Sequence, residues 1–191
     1  MVRAGLTTER LVRAGATLAD EAGFDAVTPS ALAKLFDVKV ASLYSHVASA
    51  HDLKTRVALL ALSELADLAT DAVAGRSGKE ALVALADVHR DFARTHPGLF
   101  AATRFSLDSE TAATSGGVRL AGMIRAVLRG YDLAEPEQTH AVRLLGSVFL
   151  GFATLELGGS FSHSAPDPQD SWGRTLEALD AVLRHWPQVS G

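Results

Sequence analysis

Apolar residues recur at intervals of three and four along most of the chain, and no run of alternating β-branched residues competes with this helical pattern. Local signals mark where helices begin: Thr7 stands before the first apolar stripe, and Thr28 and Asp167 each stand before a proline. The pattern predicts an all-α fold of about nine helices, three of them packed into residues 1–47.

The three N-terminal helices are predicted to form a head on a larger C-terminal helical bundle. Two short helices separated by a few residues follow a longer amphipathic one, which is the order of a helix-turn-helix. A long helix with its own capping signal, Ser49 followed by Asp52, begins directly after them. We therefore predict a domain boundary between residues 48 and 49, with the head at 1–48 and the bundle at 49–191.

The second short helix carries the residue types that contact nucleic acid. Val40, Leu43 and Val47 are spaced three and four apart and are expected to point inward. This leaves a lysine, hydroxyl groups and a phenol partly exposed, at Lys39, Ser42, Tyr44, Ser45 and His46. Such groups suit contacts with phosphates and base edges. The pattern fits a generic three-helix bundle with a solvated polar face equally well.

Two C-terminal helices carry narrow apolar stripes of the kind that pair helices lengthwise. The spacing is four, three, four, three in both helices. The stripe of the first helix is Ala141, Leu145, Val148, Phe152 and Leu155, and that of the second is Trp172, Leu176, Leu179, Leu183 and Trp186. A bundle can also bury both stripes within its own domain, and the pattern alone favours that alternative.

Polar groups on apolar faces of the bundle indicate either a ligand pocket or structural pairs. His89 lies on an inward stripe, and Glu156 lies in an almost uncharged stretch. An aromatic wall for a ligand would come from Phe92, Phe100, Phe105, Phe149 and Phe152. In the structural alternative, His89 is a hydrogen-bonded core histidine and Glu156 pairs with an arginine such as Arg104 or Arg143.

Composition narrows the class of protein further. The 191 residues are 48% apolar and contain no cysteine, which excludes a disulfide scaffold and thiolate metal sites. The net charge is −4, but residues 1–56 carry seven basic and six acidic groups (+1) against eleven and sixteen (−5) in the rest. An anionic partner should therefore meet the N-terminal end.

The sequence lacks the motifs of common enzyme and cofactor-binding classes. There is no glycine-rich phosphate loop, nucleophile elbow or H-E-x-x-H pattern, so we expect neither an enzyme nor a bound cofactor or metal. The first residues lack the apolar stretch of a signal peptide, and unbroken apolar runs are short. We expect a cytoplasmic protein that does not enter a membrane.

The N-terminal segment resembles the DNA-binding domain of the TetR family of transcriptional repressors. The resemblance covers about residues 7–56 and is carried by TPSALAKLFDVKVASLYSHV and the following ASAHDLKTRV. It implies that Thr28, Tyr44 and His46 hold phosphates, and that the major groove is faced by Lys39, Val40, Ala41, Ser42 and Ser45.

Two positions depart from the pattern of that family. Asp37 stands where a turn glycine is common, which is tolerable because aspartate enters the left-handed region more readily than most residues. Ala50 stands where a lysine is usual, which removes one phosphate contact. Lys54 or His51 would have to compensate for it.

Residues 77–185 more loosely resemble the C-terminal domain of a TetR subgroup called WHG. The similar segments are FARTHPGLFAAT and RLLGSVFLGFATLELGGSF, although Leu150-Gly151-Phe152 replaces the His-Gly-Phe triplet of that subgroup. TetR relatives dimerise through their last two helices. The resemblance therefore implies a homodimer whose interface is formed by the two stripes, with Ala141, Leu145, Val148, Trp172, Leu176, Leu179 and Leu183.

The leading prediction is a transcriptional repressor that binds a near-palindromic double-stranded DNA operator and responds to a small-molecule effector. A dimer would place two recognition helices about 34–36 Å apart on neighbouring half-sites. Residues 49–191 would then bind the effector and dimerise. The alternative is an all-helical small-molecule binding or catalytic bundle whose DNA-binding head is no longer functional.

Overall fold

The computed structural model describes residues 6–187, and these residues form ten α-helices and two 3-10 turns without a strand. The all-α prediction is confirmed, with ten α-helices among the described residues where the sequence pattern predicts about nine. The helices are α1 (Thr8–Ala22), α2 (Pro29–Leu35), α3 (Val40–Leu43), α4 (Ala50–Val73), α5 (Gly78–Thr95), α6 (Pro97–Ala102), α7 (Ser109–Ala113), α8 (Gly116–Leu128), α9 (Glu135–Leu157) and α10 (Pro168–Arg184).

The helix-capping predictions are confirmed by hydrogen bonds. The hydroxyl of Thr7 accepts from the amide of Arg10 at 3.2 Å, and that of Thr28 accepts from Ala31 at 3.1 Å. Asp167 accepts from the amide of Gln169 at 2.8 Å. These contacts satisfy amides that the first turn of a helix leaves without an intrahelical partner, which fixes where each helix begins.

The chain folds into two compact units, the first of which comprises residues 1–64 and 95–116. Its core includes Leu11, Leu32, Leu43 and Leu53, all fully buried. The unit thus contains the predicted head, the first part of α4 and all of α6 and α7. It extends past the boundary predicted at 48/49, because α6 packs on α1.

Residues 65–94 and 117–191 form the second unit. Its core is built from α5, α8, α9 and α10, with Leu85, Leu128, Phe149 and Trp172 at 0%, 0%, 1% and 1% exposure. Buried polar groups are paired: the hydroxyl of Tyr131 donates to Asp180 Oδ1 at 2.7 Å. Hydrogen bonds from Arg184 and Tyr131 hold the pKa of Asp180 below its ordinary value, although burial acts in the opposite direction and is the largest single influence.

The two apolar stripes assigned to a partner helix lie inside this unit. Six of the seven side chains assigned to the interface are at most 8% exposed, namely Ala141, Leu145, Trp172, Leu176, Leu179 and Leu183, while Val148 is half-buried. The six buried side chains leave almost no surface for a second chain to cover. The stripes therefore pack into their own domain, as the alternative interpretation of the spacing has it.

One described helix, Glu135–Leu157, is long and apolar enough to cross a membrane by length and composition alone. The row formed by Ala141, Leu145, Phe149 and Ala153 faces the interior of the second unit. The core helix of a protein that does not enter membranes passes the same test, so this single helix is weak support for a membrane span.

Candidate nucleic-acid interface and ligand site

The predicted recognition helix is a short helix followed by a turn. Residues 39–46, called the recognition segment below, comprise Lys39, α3 and the turn Tyr44–His46. Leu43 and Val47 are 0% and 2% exposed and anchor the segment to the core. Val40 is 37% exposed. Its predicted inward orientation is therefore wrong, because α3 ends after four residues and two anchors suffice to hold it.

The polar side chains of the recognition segment point outward. Lys39, Ala41, Ser42, Tyr44 and Ser45 are exposed, and His46 is half-buried. The hydroxyl of Ser45 donates to the carbonyl of Ser42 at 2.8 Å, so its oxygen keeps lone pairs for an outside donor. The segment thus presents an ammonium group, two hydroxyls and a phenol on one exposed stretch of chain.

Neighbouring residues fix the ends of the recognition segment. The hydroxyl of Thr8, in the first turn of α1, donates to the carbonyl of His46 at 3.0 Å. Asp37 adopts a φ of +53°, so this residue makes the left-handed turn that a glycine commonly makes. After the segment, the amide of Asp52 donates to Ser49 Oγ at 3.0 Å, which is one half of the predicted capping box. Asp52 Oδ2 accepts from the amide of Ala48 at 2.8 Å instead of that of Ser49.

Thr28 and Lys54 are engaged within the protein. The hydroxyl of Thr28 caps α2, so this residue lies at a helix N-terminus, where a phosphate finds backbone amides. Lys54 Nζ lies 3.0 Å from Asp25 Oδ1 and 5.0 Å from the ring centre of Phe24. A phosphate contact by Lys54 would have to compete with both interactions.

The structure divides the residues predicted to line a ligand pocket between the two units. Phe100 and Phe105 belong to the first unit. Phe100 is 3% exposed, and Phe105 packs on Phe24 and His51 with ring centres 5.6 and 5.1 Å apart. The remaining five predicted residues lie together in the second unit: His89, Phe92, Phe149, Phe152 and Glu156.

Arg90 is the centre of the polar cluster in the second unit. It is 2% exposed, and its Nε and Nη2 donate to the two carboxylate oxygens of Glu156 at 2.8 and 2.6 Å. Its Nη1 donates to the side chain of Gln169 at 2.7 Å. Arg94 Nη2 reaches the same carboxylate of Glu156 at 2.9 Å. We call these four residues, with Phe152 and Trp172, the Arg90 cluster.

Aromatic rings enclose the guanidinium of Arg90. Its central carbon lies 5.4 Å from the ring centre of Phe152 and 5.3 Å from that of Trp172, within the range of cation–π attraction. The hydrogen bonds from Arg90 hold the pKa of Glu156 below its ordinary value, with Arg94 acting in the same direction and burial opposing both. Glu156 is therefore ionised and paired, as the structural alternative requires, but with Arg90 and Arg94 instead of Arg104 or Arg143.

His89 is a neutral histidine with one ring nitrogen in a hydrogen bond. Its Nδ1 lies 2.8 Å from the carbonyl of Leu85, and because a carbonyl only accepts, Nδ1 carries the proton. Burial lowers the pKa of His89 and outweighs this hydrogen bond, which acts in the opposite direction. Nε2 has no hydrogen-bond partner among residues 6–187, and the ring lies 5.4 Å from that of Phe149.

Sequence reasoning missed Arg90, Gln169 and the role of Trp172 in this cluster. The predicted inward stripe of α5 contains His89, and Arg90 follows His89 by one residue, off that stripe. The sequence signal for Arg90 is Glu156, a carboxylate in an almost uncharged stretch. A carboxylate buried there requires a cation from another helix. In the described part of the chain, no group of three His, Asp or Glu residues is arranged to hold a metal ion.

Comparison with known proteins assigns the family. A family model described as "Tetracyclin repressor-like, C-terminal domain" matches residues 82–179. An uncharacterized HTH-type transcriptional regulator of Mycobacterium tuberculosis is 34% identical over 161 residues, covering 82% of this chain and 72% of that protein. The chain belongs to the TetR family. A second uncharacterized HTH-type regulator, from Bacillus subtilis, is 32% identical, with 80% of each chain covered.

Several solved structures share the fold of this chain. Mycobacterium smegmatis BioQ superposes with a TM-score of 0.73 at 21% identity, covering 96% of this chain and all of that one. Streptomyces coelicolor ActR in complex with (S)-DNPA gives a TM-score of 0.68 at 19% identity, covering 96% and 100%. This TetR-family protein is a helix-turn-helix transcriptional regulator, and the finer resemblance to the WHG subgroup stays a prediction.

Proposed function

We propose that this TetR-family protein is a homodimeric repressor that binds a near-palindromic DNA operator and is released by a small-molecule effector. The observation that carries the DNA-binding part is the recognition segment, in which Leu43 and Val47 are buried while Lys39, Ser42 and Tyr44 are exposed. A fixed backbone with outward polar groups is what groove recognition requires. A structure of BioQ, at 21% identity, was solved with its double-stranded DNA operator, which supports the same partner for this chain.

The roles proposed within the recognition segment are those that the TetR resemblance implies, and the chemistry of each group is compatible with them. Tyr44 and His46, together with Thr28 at the start of α2, suit phosphates. Lys39, Ser42 and Ser45 suit base edges, with Val40 and Ala41 as small apolar contacts for thymine methyl groups. Lys54 has a smaller part in this proposal than the sequence assigned to it, because Asp25 and Phe24 already hold its ammonium group.

We place the dimer contact on the outer faces of α9 and α10. On α9 this face comprises the exposed Ser147, Leu150, Thr154 and Leu155 and the half-buried Gly151, which share one side of the helix and carry no charge. Leu150 and Leu155 are 37% and 49% exposed, and Val182 on α10 is 43% exposed. A second copy of the chain is the occupant we propose, because a two-fold dimer matches a near-palindromic operator.

The effector site is proposed around His89 and the Arg90 cluster. The half-buried Phe152 supplies apolar surface next to the buried ring of Phe149, and the neutral Nε2 of His89 offers a hydrogen-bond acceptor. An effector releases DNA only if it binds the conformation with low DNA affinity more tightly than the other. Neither Phe100 nor Phe105 is needed for this site.

The experiment that tests the proposal is binding to DNA from upstream of the gene, with random DNA of equal length as a competitor. Lys39→Ala should weaken operator binding and relax the preference at one base pair, at a cost of about 1–3 kcal/mol. The matched control is Lys79→Ala, which removes the same charge from an exposed ion pair with Glu177 in the second unit. Equal affinity of the wild type for upstream and random DNA would overturn the proposal.

A further inference from the structure

The imidazole of His51 is an exposed group whose hydrogen-bonding capacity is unused. His51 lies in the first turn of α4, five residues after His46 at the end of the recognition segment. Neither of its ring nitrogens has a hydrogen-bond or ion-pair partner among residues 6–187. An imidazole carries at least one N–H donor whether it is neutral or protonated. The side chain can therefore donate to an outside acceptor such as a phosphate oxygen.

The ring of Phe105 holds this imidazole from one side. The two ring centres lie 5.1 Å apart, and the ring planes are inclined by 45°. Phe105 is half-buried, and it also makes an edge-to-face contact with Phe24 at 5.6 Å. Ring pairs at these distances are stabilised beyond the area that they bury. Phe105 thus restricts the orientation of the His51 ring while His51 itself stays exposed.

The backbone around α6 fixes the position of Phe105. The amide of Phe105 donates to the carbonyl of Ala102 at 3.0 Å, in the turn that follows α6. At the start of the same helix, Asp20 of α1 accepts from the amides of Gly98 and Leu99, both at 2.9 Å. All of these residues belong to the first unit. The ring of Phe105 is therefore carried by a short helix that is bonded to α1.

The two sequence candidates for a phosphate contact at the start of α4 differ in their surroundings. Lys54 Nζ lies 3.0 Å from Asp25 Oδ1, whereas the ring that His51 contacts is uncharged. The carboxylate next to His51 in sequence is that of Asp52, and it accepts from Arg56 Nε at 2.9 Å. A phosphate therefore meets less competition at His51 than at Lys54.

We propose that Phe105 is a positioning residue that holds the imidazole of His51 for a contact with a phosphate of the DNA backbone. Phe105 itself does not touch DNA. It restricts the imidazole before binding, so that less side-chain entropy is lost when the phosphate is bound. This role rests on the proposed DNA-binding function, and it replaces the ligand-pocket role that the sequence assigned to Phe105.

A double-mutant cycle on the full chain tests the proposal, with the affinities for upstream DNA and for random DNA of equal length as readouts. His51→Ala removes the imidazole, and Phe105→Leu removes the ring but keeps an apolar side chain. Phe105→Tyr retains the ring and is the conservative variant. Two controls lie in the second unit: His163→Ala, at an exposed histidine, and Phe161→Leu, at a half-buried ring that packs on Phe152 with centres 5.0 Å apart.

His51→Ala should weaken binding by about tenfold or more, the range of one hydrogen bond to a charged group. The factor should be the same for both DNAs, because a phosphate carries no sequence information. Phe105→Leu should weaken binding to both by about threefold, within the range of an aromatic pair. Phe105→Tyr and the two controls should stay within about twofold of the wild type.

The double variant distinguishes positioning from a structural role. In the His51→Ala background, Phe105→Leu should cause no further loss beyond about twofold, because the imidazole that it holds is already missing. A loss from Phe105→Leu that is equal with and without His51 would overturn the proposal. Wild-type affinity in His51→Ala, or a loss confined to upstream DNA, would overturn it as well.

Two readouts separate this proposal from the proposed function. In the protein without DNA, Phe105→Leu should shift the NMR signals of the His51 ring protons, because the ring current of the phenyl group is lost, and Phe105→Tyr should shift them far less. Unchanged signals in Phe105→Leu would overturn the positioning role. If the wild type binds upstream and random DNA equally, the proposed function fails, and the cycle on random DNA still decides whether His51 contacts a phosphate.

Discussion

Arg90 and Glu156 form a two-pronged ion pair, with Nε 2.8 Å from Oε2 and Nη2 2.6 Å from Oε1. The arginine is 2% exposed, and its third hydrogen bond goes to Gln169. A charge buried this deeply is tolerated because each of the three guanidinium nitrogens donates to an acceptor. The pair thus connects α5, α9 and α10 and forms the polar centre of the proposed effector site.

Removing one partner of this pair should be strongly destabilising. Glu156→Gln leaves Arg90 buried with an incomplete set of acceptors, and we expect the free energy of unfolding in urea to fall by about 3–5 kcal/mol. The pH dependence has a definite sign, because the pKa of Glu156 is lower in the folded chain than in the unfolded chain. The ionised carboxylate therefore stabilises the fold at pH values above the ordinary pKa of glutamate. This stabilisation is lost as the pH falls through the lowered pKa.

Arg94→Met serves as the comparison for Glu156→Gln, because Arg94 binds the same carboxylate but its side chain is 46% exposed. Its cost should stay below about 1 kcal/mol. Equal unfolding free energies for Glu156→Gln and the wild type would show that the ion pair does not contribute to the stability of the fold.

The titration of His89 should give the stability of the fold a second, separate dependence on pH. Its pKa is lowered by burial, so the unfolded chain takes up a proton near pH 6.5 while the folded chain does not. Stability should therefore fall as the pH drops below about 6.5. His89→Gln removes the titrating group, and its melting temperature should fall less between pH 7.5 and 5.5 than that of the wild type. Identical pH profiles would mean that the pKa of His89 is the same in the folded and the unfolded chain.

The local part of the fold was predictable from the sequence because short-range chemistry decides it. Thr7, Thr28 and Asp167 cap their helices as expected, and Asp37 takes the left-handed conformation. In each case the partner lies within a few residues, so the sequence alone contains the interaction. The exposure of Val40 was not predictable from spacing, because it depends on where α3 ends.

The covering of an apolar stripe, by contrast, depends on residues far away in sequence. The stripe with Trp172, Leu176 and Leu179 was expected to meet a partner chain, yet α9 and the aromatic residues of its own unit bury it. Spacing shows that a face is apolar but not what covers it. The partner of Glu156 was missed for the same reason, since Arg90 lies 66 residues away.

A pair of leucine substitutions distinguishes the two possible dimer faces. Leu155→Glu places a charge on the exposed face of α9 and should give a folded monomer in sedimentation experiments. Leu179→Glu places a charge at a site 6% exposed and should lower the melting temperature strongly, whatever the oligomeric state. A folded dimer in Leu155→Glu would remove this face from the interface.

Substitution of Lys54 tests whether this residue stabilises the head or contacts DNA. Its ammonium group is held by Asp25 and the ring of Phe24, so Lys54→Ala should slightly lower the melting temperature and leave operator affinity close to that of the wild type. Asp25→Asn should lower the melting temperature similarly, because it removes the other half of the pair. A loss of operator affinity in Lys54→Ala comparable to that of Lys39→Ala would instead support a phosphate contact by Lys54.

The measurement that tests the account most directly is the affinity of the wild type for its upstream DNA as a function of salt concentration. A regulator that reads DNA through the recognition segment should bind that DNA far more tightly than random DNA. The logarithm of its affinity should fall linearly with the logarithm of the salt concentration, because each phosphate contact releases counterions. Weak binding that is equal for both DNAs at every salt concentration would contradict the account and favour a bundle whose head no longer binds DNA.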